Sequence, residues 1–85
     1  MKNEIIDIIR QNTNTRIDIT DETTFMDIDI DSLGFISMVI KIEEKFNIRF
    51  EDMQLVYDNY KNIGQFIEVV QKEIVKTNKK ESIQE

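Results

Sequence analysis

Asp27-Ile28-Asp29-Ile30-Asp31-Ser32-Leu33-Gly34 is an acidic approach that runs straight into an apolar, helix-patterned stretch ending near Phe46. Asp31 stands where an N-cap belongs. Its carboxylate can accept the backbone N–H groups that a first helical turn leaves unpaired, and its charge sits at the positive end of the helix dipole. The helix it opens, predicted over Ser32 to Phe46, carries two apolar stripes. At roughly 100° per residue, Phe35, Met38, Val39, Ile42 and Phe46 share one face, and Leu33, Ile36 and Ile40 form an adjacent one beside Ser32. The first stripe is sufficient for a core. The second, flanked by Glu43 and Glu44, is either covered by another part of the chain or left as a docking face whose apolar centre gives affinity and whose rim gives steering.

Upstream, Ile5, Ile8 and Ile9 repeat at helical spacing, widened by Ile6, and predict a first helix from about Lys2 to Asn12. Asn12 to Thr15 stop it. From there to Asp31 the chain reads as a long loop with Phe25 as its anchor, and loops beyond about 12–15 residues in a small domain are usually functional or disordered. Ile17, Ile19, Phe25, Ile28 and Ile30 favour a loop packed over helices. Downstream, Asn47 ends the second helix and Ile48 and Phe50 read as inward anchors. A short helix is predicted near Asp52 to Asp58, with Leu55 and Val56 inward and Tyr57 and Tyr60 capping the core. A last helix starts at Asn62, where Gln65 three residues on suggests a capping box, and buries Ile63, Phe66, Ile67, Val70 and Ile74. The expected architecture is all-α: a small four-helix bundle of three main helices and one short one, spanning residues 1–76, followed by a polar, frayed tail over 77–85.

Composition narrows the chemistry. The chain of 85 residues contains no cysteine and no histidine, which removes disulfides, thiolate metal sites, the catalytic thiol and the commonest general base. Thiol chemistry would have to arrive on a cofactor. Ser32 has no base in prospect, with Lys41 and Lys45 expected on another side of the helix, so nucleophilic catalysis is disfavoured. Asp27, Asp29 and Asp31 alternate as in the first half of a calcium loop, but that template needs Gly sixth and Glu twelfth where this chain has Ser32 and Met38. No metal is expected.

The net charge of −6 is carried by six acids between Ile17 and Ile40, a segment without a base. That concentration either aids solubility or steers proteins with basic patches towards Ser32, and it disfavours nucleic acid. No apolar run approaches the ~20 residues of a membrane span, so a cytoplasmic monomer is expected.

Phe25-Met26-Asp27-Ile28-Asp29-Ile30-Asp31-Ser32-Leu33 resembles the acyl carrier protein motif F-x-D-(L/I)-G-x-D-S-L, and Ile36, Val39, Ile42, Glu43, Glu44 and Phe46 continue that family's second-helix pattern. The likeness covers about residues 2 to 76. It implies that Ser32 receives 4′-phosphopantetheine from coenzyme A and that the terminal thiol of this arm holds acyl groups as thioesters. By the same resemblance Asp31 caps the helix and marks the site for a phosphopantetheinyl transferase. Leu33 adjoins the attachment point, and Leu33, Ile36, Ile40, Glu43 and Glu44 form the surface for acyl-loading and acyl-processing enzymes with basic docking patches. Two departures stand out: Asp29 replaces the motif's glycine, and Ser37, Lys41 and Lys45 occupy positions often acidic or neutral. The second departure, together with the spacing of Phe25 from Ser32, points by the same resemblance towards a stand-alone carrier of a specialised, polyketide- or nonribosomal-peptide-like pathway, with a fatty-acid pathway kept open. An aminoacyl or peptidyl carrier and an unmodified helical interaction module are the alternatives.

Overall fold

The isoleucines of the first helix decide where it lies. In the computed structural model, which describes the backbone of residues 2–83 and the side chains of residues 2–77, α1 spans Lys2–Gln11. Ile5, Ile8 and Ile9 are buried. The Asn12 side chain donates to the Ile8 carbonyl at 2.8 Å, so the helix closes on a polar residue that satisfies an otherwise unpaired C=O.

Beyond α1 the chain follows the expected long loop, held by its own side chains. Thr13 Oγ1 donates to the Ile28 carbonyl and fastens the start of the loop to its end. Thr24 and Asp27 bond reciprocally, each side-chain oxygen accepting the other's backbone N–H at 3.0 Å. These polar fastenings leave Phe25, Ile28 and Ile30 free to point inward, and all three are buried. Ile17, by contrast, remains exposed.

α2 spans Ser32–Phe46, the boundaries predicted from the sequence. Asp31 Oδ1 accepts the Gly34 N–H at 2.8 Å. At the other end Asn47 adopts the left-handed conformation at φ 55°, and Ile48 N–H donates to the Glu43 carbonyl at 3.1 Å. Asn tolerates this geometry better than most residues, which is why a chain poor in glycine still ends its helix cleanly. Phe35, Met38, Val39 and Ile42 are buried as expected, with Phe46 half-buried.

The short helix differs from expectation. Instead of one helix over Asp52–Asp58 there are two 3₁₀ turns, Asp52–Leu55 and Tyr57–Asn59, separated by Val56 in an extended conformation. Val56 is 47% exposed and does not pack inward. The physical reason lies in what must reach the core. Leu55, Tyr57 and Tyr60 all pack against it, and in a continuous α-helix Leu55 and Tyr57 would sit about 200° apart. Breaking the helix at Val56 brings both to one side. The Asn59 amide then donates to the Met53 carbonyl and the Tyr60 hydroxyl to the Gln54 carbonyl, both at 2.7 Å, locking the two turns together. Burial pushes the Tyr60 phenol above its ordinary value of 10.0, and the Glu73 carboxylate adds to the shift.

α3 spans Ile63–Ile83. Asn62 Oδ1 caps it by accepting the Gln65 N–H at 2.9 Å, but the Gln65 side chain reaches Lys61 N–H rather than Asn62, so the expected box closes one residue early. Loop carbonyls complete the cap: Ile63 N–H donates to Thr23 O at 2.7 Å and Gly64 N–H to Asp21 O at 2.9 Å. The loop approaches so closely that a Cβ on Gly64 would lie 2.8 Å from Asp21 Cβ. Ile63, Phe66, Ile67, Val70 and Ile74 are buried, as predicted. The α3 backbone continues past Lys76 to Ile83. Of the tail expected to fray over 77–85, the side chains from Asn78 onward and all of Gln84 and Glu85 lie outside the described residues.

Among the described residues the fold is therefore all-helical, three α-helices and two single-turn 3₁₀ helices in place of a fourth α-helix. Its centre is aromatic. Phe25 from the loop, Phe35 from α2 and Phe66 from α3 meet edge to face with centroids 5.2–5.5 Å apart, and Tyr60 closes on Phe66 at 5.2 Å.

Candidate functional site

Ser32 is the first residue of α2 and is exposed, and its hydroxyl has no hydrogen-bond partner among the described residues. The local sequence explains its freedom. Asp31 already occupies the N-cap, so Ser32 is not drawn into capping and projects from the first turn. No general base approaches it along the helix, since Lys41 and Lys45 lie about 13 and 20 Å down the axis at 1.5 Å per residue. The adjacent carboxylate, Asp31, is engaged with the Gly34 N–H.

The three aspartates of the approach have separate jobs. Asp27 holds the turn that begins at Thr24. Asp29, at the glycine position of the resembled motif, takes φ 56°, the left-handed backbone that glycine would supply and that Asp also visits. Asp31 caps. All three remain exposed, so their charge still surrounds the approach to Ser32. Among the described residues no group of three or more such side chains is placed to hold a metal ion.

The second stripe of α2 is uncovered. Leu33 is 81% exposed, Ile36 36% and Ile40 48%, so neither α1 nor the loop lies over this face. The structure therefore brings Ser32 and an apolar row together on one outward side. It separates the two glutamates expected at the rim. Glu44 is exposed, but Glu43 is half-buried and its Oε2 accepts the Phe50 N–H at 2.8 Å, which fixes the chain where it leaves α2. The sequence reading gave no place to Met53, which is 77% exposed, and turned Val56 inward where the structure exposes it. No signal of periodicity could have placed them, because a single 3₁₀ turn is too short to have one.

Comparison with protein families identifies the class. The family model described as the phosphopantetheine attachment site matches residues 3–70, most of the chain. The chain belongs to that family: it is a carrier, not an enzyme, and it bears covalently attached 4′-phosphopantetheine. Searches among curated proteins and among solved structures returned no match.

The residues fit such a group. A phosphodiester tether needs a hydroxyl that is exposed and uncommitted, in a chain that lacks a thiol of its own, and Ser32 meets the first condition as the absence of cysteine meets the second. No helix among the described residues is long and apolar enough to cross a membrane.

Proposed function

We propose that Ser32 is the residue that bears the phosphopantetheine arm, and that the chain presents acyl thioesters to a succession of partner enzymes. The observation that carries this reading is an exposed, unpartnered hydroxyl at the capped start of α2, beside the uncovered row Leu33, Ile36 and Ile40. The arm supplies the thiol that the sequence lacks. Asp31 sets the first turn so that the hydroxyl projects, and its charge with that of Asp29 marks the site for a transferase with a basic surface. Leu33 lies beside the tether. Ile36 and Ile40 give the contact its apolar centre, and Glu44 contributes to its rim.

Within this reading the chain serves a specialised pathway of the polyketide or nonribosomal-peptide kind. Ser37 and Lys41, both exposed on α2, support it, because a uniformly acidic second helix is absent.

Incubation with coenzyme A and a broad-specificity phosphopantetheinyl transferase, followed by intact mass measurement, tests the attachment residue. The wild-type chain and Ser37→Ala should each gain the mass of one phosphopantetheine, and Ser32→Ala should gain none. Modification of Ser32→Ala, or loss of modification in Ser37→Ala alone, would place the arm elsewhere.

A further inference from the structure

The Ile28–Asp29 peptide is held from both sides. Its carbonyl accepts the Thr13 hydroxyl, and its N–H donates to the Met26 carbonyl at 3.1 Å. One residue on, Ile30 N–H donates to the Phe25 carbonyl at 3.0 Å, so residues 25–30 close the two nested bonds that end a helix on a left-handed residue, here Asp29 at φ 56°. That conformation is sparsely populated for a residue with a side chain and persists where its surroundings hold it. A peptide unit is a rigid plane, and Ile28 and Ile30 are both buried. The motion left to Asp29 is therefore a crankshaft turn of the plane before it, which would break both bonds at once.

Thr13 ties this plane to the rest of the molecule. Among the described residues its hydroxyl makes the one hydrogen bond that reaches residues 24–31 from another part of the chain, while the bonds of Thr24, Asp27 and Asp31 close within the segment or onto the first turn of α2. The same oxygen accepts the Thr15 N–H at 3.3 Å, so it receives from its own loop and donates to Ile28. Thr13 stands two residues past the end of α1, whose Ile5, Ile8 and Ile9 are buried. One hydroxyl thus couples the anchored helix to the turn that leads into Ser32.

We propose that Thr13 is a positioning residue for the attachment of phosphopantetheine: it holds Asp29 left-handed, and so sets the Asp29 carboxylate and the path through Asp31 to the Ser32 hydroxyl in the arrangement a transferase recognises. The inference rests on Ser32 as the tether. Thr13 acts through Asp29 and lies outside the resembled motif. Without its hydroxyl the turn divides between two arrangements, of which the enzyme binds one. KM for the chain then rises by the reciprocal of the competent fraction, and kcat for the bound chain does not change.

Steady-state transfer from coenzyme A by a broad-specificity phosphopantetheinyl transferase, with the concentration of the unmodified chain varied, tests the proposal. Thr13→Val, nearly isosteric and without the hydroxyl, should raise KM about two- to fivefold, the scale of one lost hydrogen bond acting on a two-state turn, with kcat unchanged. Thr13→Ser, which keeps the hydroxyl and loses the methyl, should match wild type. In nitrogen–proton NMR spectra of Thr13→Val the Asp29 amide should shift while those of Met38 to Ile42 stay in place. An unchanged KM, a fall confined to kcat, an unmoved Asp29 amide, or a Thr13→Ser variant as impaired as Thr13→Val would overturn the proposal. So would loss of folding in Thr13→Val, since the hydroxyl would then hold the whole fold and not the turn. Failure here would leave Ser32→Ala unmodified in the mass measurement, whereas an arm attached elsewhere would show as a modified Ser32→Ala whatever the value of KM.

Discussion

Asp29 shows how one residue reconciles an unusual sequence with an ordinary turn. Its φ of 56° lies where glycine is most at ease and where Asp is tolerated, whereas a β-branched side chain is strained. Asp29→Gly should therefore leave stability within about 1 kcal/mol of wild type, while Asp29→Val should lose about 1–3 kcal/mol in urea denaturation, the cost of a sparsely populated backbone conformation. Gly64 makes the complementary point, because its backbone is ordinary and its constraint is space. A methyl group there would stand 2.8 Å from Asp21 Cβ and 2.9 Å from Asp21 O, against backbone that caps α3. Gly64→Ala is expected to destabilise by about 1–3 kcal/mol, as overpacked sites do, and to speed amide exchange at Ile63 and Gly64. The left-handed tolerance of Asp29 was legible in the sequence. The crowding at Gly64 was not, since nothing local announces that residue 21 returns to residue 64.

At the scale of the element, α2 does two jobs with two stripes. The buried one anchors it through Phe35, Met38, Val39 and Ile42, and the other stays in solvent. Exposure settles which mutations should unfold the protein. Ile36→Ala and Ile40→Glu remove side chains that are 36% and 48% exposed, so each should shift unfolding free energy by no more than about 0.5–1 kcal/mol, a surface-sized change. Transfer to or from a partner enzyme should nonetheless slow, chiefly through KM. A loss of 2–5 kcal/mol in denaturant titrations, about what a core truncation costs, would mean that the row is covered. The extent and caps of α2 were readable because periodicity and capping are local. Whether the second stripe would be covered, and that Glu43 turns back to hold Phe50, depended on neighbours the sequence does not order in space.

At the scale of the whole molecule, the long loop is part of the core. Phe25 comes from the loop, Phe35 and Phe66 from separate helices, and their rings form one cluster to which Phe50, Tyr57 and Tyr60 add. Phe66 touches four of these rings. Its truncation to Ala should cost about 3–5 kcal/mol, a large share of the roughly 5–15 kcal/mol available to a domain. Thermal unfolding followed by circular dichroism should show a melting temperature many degrees lower, with the loop and all three helices lost in one transition.

The sequence by itself determined the helical class, the limits of α2, the Asp31 cap, the inward anchors of loop and linker, and the acidic approach to Ser32. Each is written in neighbouring residues, by spacing, side-chain reach or charge. Tertiary structure decided that Leu33, Ile36 and Ile40 stand in solvent, that the short helix breaks at Val56, that Glu43 serves the backbone while Lys41 stays unpaired, and that Gly64 admits the loop. These outcomes depend on which distant segments share the limited space around one aromatic core, and that competition is settled only when the whole chain has packed.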